Sequence, residues 1–140
     1  MRRFSRMKLE LRKLEQKGAI RLKTILIVDD QMGIRLLLNE VFKKEGYDTL
    51  TAANGNQALQ TAGEKHLDIV LLDMKIPGMD GIEILKNLKQ VQPDVQVIMM
   101  TAYGELDLIE ESLINGASCY FTKPFDVFEI REAVKQLLTD

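Results

Sequence analysis

From Thr24 onward, short apolar runs alternate with longer stretches whose apolar residues recur every three or four positions. No other feature restricts the fold of this chain as much. Thr24 to Val28 (T-I-L-I-V) is rich in β-branched residues and apolar after its first residue, which describes a strand buried on both faces. Ile69 to Leu72 and Val95 to Met100 have the same character, while Thr49 to Ala52 and Cys119 to Phe121 are weaker, outer strands. Between them lie helical patterns. Ile34, Leu37, Leu38, Val41 and Phe42 are spaced for one helix, with Glu45-Gly46 as its end. Asn54 or Gly55 starts a second, running to about Lys65. Gly81 to Gln90 forms a third, and Glu105 to Asn115 a fourth that stops at Gly116. Asp126 caps a fifth, with Glu129 completing a capping box.

Five strands alternating with five helices predict an α/β fold, a doubly wound parallel sheet with helices on both faces. Ligands in such folds bind beyond the carboxyl ends of the strands. Those ends carry Asp29 and Asp30 after the first strand, Asp73 after the third, Thr101 after the fourth and Lys123-Pro124 after the fifth. Each has an ordinary reading alone: a turn acid, a loop start, a helix cap, a surface cation. Together they describe chemistry. Three carboxylates in one cleft repel by about 4 kcal/mol per pair at about 4 Å and intermediate dielectric. A hard divalent cation relieves that repulsion, and Mg²⁺ typically takes one or two carboxylates plus waters and phosphate oxygens. An aspartate can attack phosphorus, Lys123 can neutralise a phosphoryl oxygen, and the Thr101 hydroxyl can bond another.

V-D-D at Val28 to Asp30, L-L-D-M-K-I-P-G-M-D-G from Leu71 to Gly81, M-T-A-Y-G from Met100 to Gly104, and K-P-F from Lys123 to Phe125 resemble the receiver domain of bacterial response regulators. The resemblance spans residues 24 to about 138. Within the family, D-D-Q-M-G-I-R-L-L-L-N-E-V-F and K-P-F-D resemble the single-domain regulators of the sporulation phosphorelay. The resemblance implies a flavodoxin-like fold with strand order 2-1-3-4-5 and Asp73 as phosphoacceptor. It implies Mg²⁺, with Mn²⁺ as the alternative ion, on Asp30 and Asp73 directly, on Asp29 mostly through water, and on the backbone carbonyl of Lys75. Thr101 and Lys123 would contact the phosphoryl group. Tyr120 falls at the aromatic switch position. The partners implied are a sensor histidine kinase as donor, a histidine phosphotransferase as acceptor, and an aspartyl-phosphate phosphatase. Such a chain is a phosphoacceptor signalling protein that assists its own phosphorylation and dephosphorylation, rather than an enzyme.

The first helix has more apolar positions than one face can bury. Gly33, Ile34 and Leu37, with Tyr103, Pro124 and Phe125, are therefore expected to form a partner-docking rim. His66 is expected at a helix end facing solvent, and Cys119 as a small, buried strand residue. One cysteine permits no internal disulfide, and no apolar run reaches the roughly 20 residues of a membrane span, so a cytoplasmic setting is expected. The net charge of −2 is unevenly spread. Residues 1–23 carry nine Lys/Arg and two Glu, giving +7, and the rest carries −9. This basic extension, with Phe4, Met7, Leu11 and Leu14 at helical spacing and an expected end near Gly18, precedes the domain of residues 24–140. It suits a dimerising helix, a membrane-surface contact, a nucleic-acid contact or a start-site artefact, Met7 being an internal start.

Three other functions fit less well. A chemotaxis-type receiver would share the site but signal only by phosphorylation-dependent binding. An aspartate-nucleophile phosphatase resembles others in placing a second acid two residues after the nucleophile, where this chain has Lys75. A transcription factor would need a DNA-binding domain, for which the few residues after the fifth helix leave no room.

Overall fold

The computed structural model describes residues 2–16, 21–102 and 104–139. A basic helix α1 (Arg2–Gln16) is followed by β1 (Thr24–Val28), α2 (Met32–Lys44), β2 (Asp48–Ala52), α3 (Gly55–Glu64) and β3 (Ile69–Asp73). A short hairpin of β4 (Lys75–Ile76) and β5 (Met79–Asp80) leads into α4 (Gly81–Val91). Then come β6 (Gln96–Ala102), α5 (Leu106–Ile114), β7 (Cys119–Lys123) and α6 (Val127–Leu138). The main sheet is parallel throughout, in the order β2-β1-β3-β6-β7. With α1 and the hairpin set aside, this is the doubly wound sheet that the alternation of elements predicts, in the order that the family resemblance implies.

The period-two geometry of a strand sends successive side chains to opposite faces. Leu26, Val28, Val70, Leu72, Val97 and Met99 pack on one face with Ala58 and Ala62 of α3 and Ile84, Leu85 and Leu88 of α4. Ile25, Ile27, Ile69, Leu71, Ile98 and Met100 pack on the other with Leu38 and Phe42 of α2 and Ile130 and Val134 of α6. Every residue of β1 and β3 is buried, which is why those runs show no polar alternation. Helix starts follow the side chains the sequence offers. Asn54 accepts from Gln57 N–H, Asp80 from Ile82 N–H and Asp126 from Phe128 N–H. The Asp126 bond goes to the amide of Phe128 rather than to that of Glu129, so it caps the helix without the pairing expected of a capping box.

Some boundaries differ from expectation. β3, β6 and β7 run further than their apolar cores, so Asp73, Thr101 and Lys123 lie within the last turns of strand rather than beyond them. Ladder hydrogen bonds involve the backbone, so a polar side chain does not end a strand. The β4–β5 hairpin was not expected, because two residues per strand carry no readable period. In α1, Met7 and Leu14 are exposed, the Phe4 side chain lies outside the described residues, and so does the expected end near Gly18. No helix among the described residues is long and apolar enough to cross a membrane.

At the amino ends of β1 and β3, Asp68 closes the sheet. Its Oδ2 accepts from Thr24 N–H at 2.7 Å, and Arg21 makes a two-pronged pair at 3.1 Å on each oxygen. His66 Nε2 lies 3.3 Å from Oδ1, so the histidine faces an acid rather than solvent alone. Burial pushes the Asp68 carboxyl upward, but Arg21 and the Thr24 amide outweigh it and hold the carboxyl below the ordinary range. A depressed folded-state value stabilises the fold above the unfolded value and is lost as pH falls through the folded one. Asp68→Ala is therefore expected to cost about 1–3 kcal/mol near neutral pH, from the lost charge-assisted bonds. The difference should shrink as pH falls below ~4 and through the depressed folded-state value, where the wild-type acid becomes protonated too. Urea unfolding of both proteins across that range checks it, and a difference independent of pH would contradict the electrostatic cause.

Candidate functional site

The register of the ladder assembles the site. Val28 pairs with Leu72, so Asp29 follows β1 beside Asp73 at the end of β3. Asp73 pairs with Met100, placing Thr101 one residue further along β6. Ala102 pairs with Lys123, the last residue of β7. Residues far apart in sequence thus meet along one sheet edge.

Asp29 is fully buried, whereas its neighbour Asp30 is exposed. Both Asp29 oxygens are occupied: Oδ1 accepts from Gln31 N–H at 2.9 Å, and Oδ2 accepts from Lys123 Nζ at 2.7 Å. Arg35 donates to the Asp29 carbonyl at 2.8 Å and ties α2 to the strand end. Asp73, 6% exposed, accepts from Lys75 N–H on Oδ1 and from Lys123 Nζ on Oδ2, both at 3.2 Å. The Lys123 ammonium therefore bridges two carboxylates from strands two and three places away in the sheet.

Burial raises the Asp73 carboxyl above the ordinary range. The Lys75 amide and the Lys123 charge pull it back, and the neighbouring Asp29 pushes it up again. Burial by itself would lower Lys123, but its bond to Asp29 and the charges of Asp73 and Asp29 raise it instead. The ammonium is held charged where two acids need it.

Oxygens of Asp29, Asp30 and Asp73 all lie within 4.8 Å of one another. Three carboxylates and one ammonium leave two negative charges, and every donor is a hard oxygen. That set fits a divalent cation of the Mg²⁺ class. Gly81 secures the geometry behind it. A Cβ there would come within 2.7 Å of the Met74 carbonyl oxygen and 2.8 Å of its Cα, so only glycine lets α4 approach the residue after Asp73 so closely.

Thr101 is buried, and its hydroxyl donates to Glu105 Oε2 at 3.0 Å. Glu105 also pairs with the Lys75 ammonium through Oε1. This Glu105 contact is absent from the sequence reading. The only signal for it was an acid four residues after Thr101, across a glycine. Of the expected rim, Ile34, Leu37, Pro124 and Phe125 line one shallow cavity of about 480 Å³ with Gln31, Lys123 and Val127. Gly33 is exposed but not part of that lining, and Tyr103 lies outside the described residues. Leu37 is 45% exposed, with Met32 and Leu36 exposed beside it, as the surplus of apolar positions on α2 required. Tyr120 points outward from β7 and is 41% exposed. Cys119 is half-buried, and burial raises its thiol.

The family model of the response regulator receiver domain matches residues 25–135. The chain belongs to that family. This receiver is 65% identical over 114 residues to the sporulation initiation phosphotransferase F of Bacillus subtilis, covering 81% of this chain and 92% of that protein. It is 41% identical to the regulatory protein AtoC of Escherichia coli over 81% of this chain, but over only 25% of that longer protein. Among solved structures, the response regulator TrrA of Thermotoga maritima, in complex with Mg(2+)-BeF, matches with a TM-score of 0.75 at 38% identity. That match covers 84% of this receiver and all of that chain.

Proposed function

We propose that this receiver is a phosphorelay intermediate, as its similarity to the sporulation initiation phosphotransferase F suggests. In the cytoplasm it takes a phosphoryl group from the phosphohistidine of a sensor kinase onto Asp73 and hands it to the histidine of a phosphotransferase, in the control of sporulation. The observation that carries this reading is a buried aspartate bonded to an ammonium, Lys123, that itself lines an apolar rim. In the forward step a carboxylate oxygen of Asp73 forms a bond to phosphorus as the bond from phosphorus to the imidazole nitrogen breaks. The electron pair leaves with that nitrogen, which takes a proton from solvent. The return step is the reverse, with the acceptor's imidazole as nucleophile.

The chain's residues divide the work. Lys123 meets charge developing on a phosphoryl oxygen, and the Thr101 hydroxyl bonds another. When bound, Mg²⁺ neutralises phosphoryl charge and orients the transfer. Asp30 and Asp73 would hold it directly, with the Lys75 carbonyl. Asp29, fully buried behind them, would act mostly through water, as the resemblance to receivers implies. Tyr120 would report the phosphorylated state to partners, among them an aspartyl-phosphate phosphatase.

A partner histidine must cover the rim to reach Asp73. Apolar side chains there exclude water, which protects the acyl phosphate during transfer. The test uses a histidine phosphotransferase carrying labelled phosphohistidine. The label is expected to move to Asp73 and back. Ile34→Ala and Leu37→Ala should slow that exchange about five- to thirtyfold, the effect of 1–2 kcal/mol of lost contact. Phosphorylation by phosphoramidate, which needs the site but not the rim, should stay near the wild-type rate. If both rates fell together, the docking assignment would be wrong. If no label reached the wild-type protein, the relay reading would be.

A further inference from the structure

Glu105 occupies the position just before α5, where a carboxylate ordinarily accepts from the helix's first N–H groups. It makes no such cap bond. Instead its side chain, only 16% exposed, turns back across the site mouth. Gly104, at φ 91°, makes the sharp turn that permits this, a conformation open to glycine and strained for other residues. One Glu105 oxygen then takes the Thr101 hydroxyl at 3.0 Å, and the other takes the Lys75 ammonium.

A threonine hydroxyl has a single proton to donate. While it donates to Glu105 it cannot donate to a phosphoryl oxygen. Its approach to the Ala102 carbonyl, at 3.4 Å, is the weaker of its two contacts. The exposed helix-end acid, the ordinary role for a glutamate here, does not account for the contact with a residue that is 1% exposed.

We propose that Glu105 is a positioning residue of phosphoryl transfer. Its carboxylate, anchored on the Lys75 ammonium, holds the Thr101 hydroxyl that the phosphoryl group would take, and the incoming group must displace it. The inference rests on the phosphoacceptor reading given above and deepens it. The displaced carboxylate remains a nearby anion, so Glu105 both slows arrival and weakens the loaded state. For a relay this keeps the phosphoryl group easy to pass on.

The experiment measures phosphoramidate uptake and the affinity for beryllofluoride with Mg²⁺, a phosphoryl mimic. The proteins are wild type, Glu105→Ala, Glu105→Gln, Thr101→Ala and the Glu105→Ala/Thr101→Ala double variant. Freeing the hydroxyl from its bond is expected to raise uptake and affinity about two- to tenfold in Glu105→Ala. Glu105→Gln should fall between, since its amide oxygen still accepts from Thr101 but carries no charge. In the Thr101→Ala background the effect of removing Glu105 should lose most of its size, because one of its two targets is gone. A residue that merely supported the fold would lower uptake on removal and show no such coupling. Unchanged or slower uptake in Glu105→Ala, or an undiminished gain in the double variant, would overturn the proposal. If the wild-type protein took up neither phosphoryl group nor mimic, the phosphoacceptor reading would fail and this inference with it.

Discussion

Asp73→Asn is expected to abolish phosphorylation by protein and small-molecule donors alike, with no phosphoryl gain in intact mass after treatment with phosphoramidate and Mg²⁺. The neutral amide oxygen of asparagine is a poor nucleophile and cannot give an acyl phosphate. The neighbouring acids do not substitute for it. Asp29 is fully buried, out of a donor's reach, and Asp30 stands exposed at the rim. The variant should still fold. Burial raises the Asp73 carboxyl above its unfolded value, so ionising it costs stability at neutral pH, a cost relieved as pH falls to the raised value. Asparagine removes that cost, and the urea midpoint at neutral pH should match or exceed wild type. A full phosphoryl gain in the variant would sink the assignment. Loss of gain together with a collapsed midpoint would point to misfolding instead.

Lys123→Met should lower the rate of phosphoryl uptake about 10²–10³-fold, the usual effect of removing one preorganised donor from developing negative charge. Methionine keeps the length of the stem but not the ammonium that lies 2.7 Å from Asp29 and 3.2 Å from Asp73. With the ammonium and a divalent cation the three acids are neutralised. Without the ammonium one negative charge remains to repel the donor. The same change should destabilise the metal-free fold by about 3–5 kcal/mol, because it strands a buried carboxylate. The pairing holds Lys123 above its ordinary value, so its stabilisation is present below the unfolded value and lost only as pH rises through the folded one. The destabilisation should therefore persist across neutral pH, and added Mg²⁺ should recover more stability in the variant than in wild type. Stopped-flow uptake and urea unfolding with and without Mg²⁺ measure both effects. A rate within a few-fold of wild type would remove Lys123 from the transfer step.

The β-branched apolar runs at Thr24 to Val28 and Ile69 to Leu72 announced central strands, because a strand buried on both faces tolerates few polar residues. Asn54, Asp80 and Asp126 stood where helices begin, because their short side chains reach the first free N–H groups. The acids, the threonine and the lysine at strand ends were legible for the same reason: alternating strands and helices leave only one edge for a site. Strand limits were less legible, since Asp73, Thr101 and Lys123 take part in the ladder through their backbones.

Only the tertiary structure decided which of these groups touch. Lys123 reaches Asp29 across 94 positions of sequence, and nothing local at either residue indicates it. Asp29 is enclosed with Gln31 and Lys123 on its oxygens while Asp30 beside it stays open, a difference the two adjacent acids do not show in sequence. Glu105 meets Lys75 and Thr101 because a glycine turn folds the start of α5 back over β6. Side-chain chemistry acts over a few residues and determines the elements and their order. Partners, burial and charge balance depend on distances set by ladder register and helix packing, which exist only once the sheet has formed.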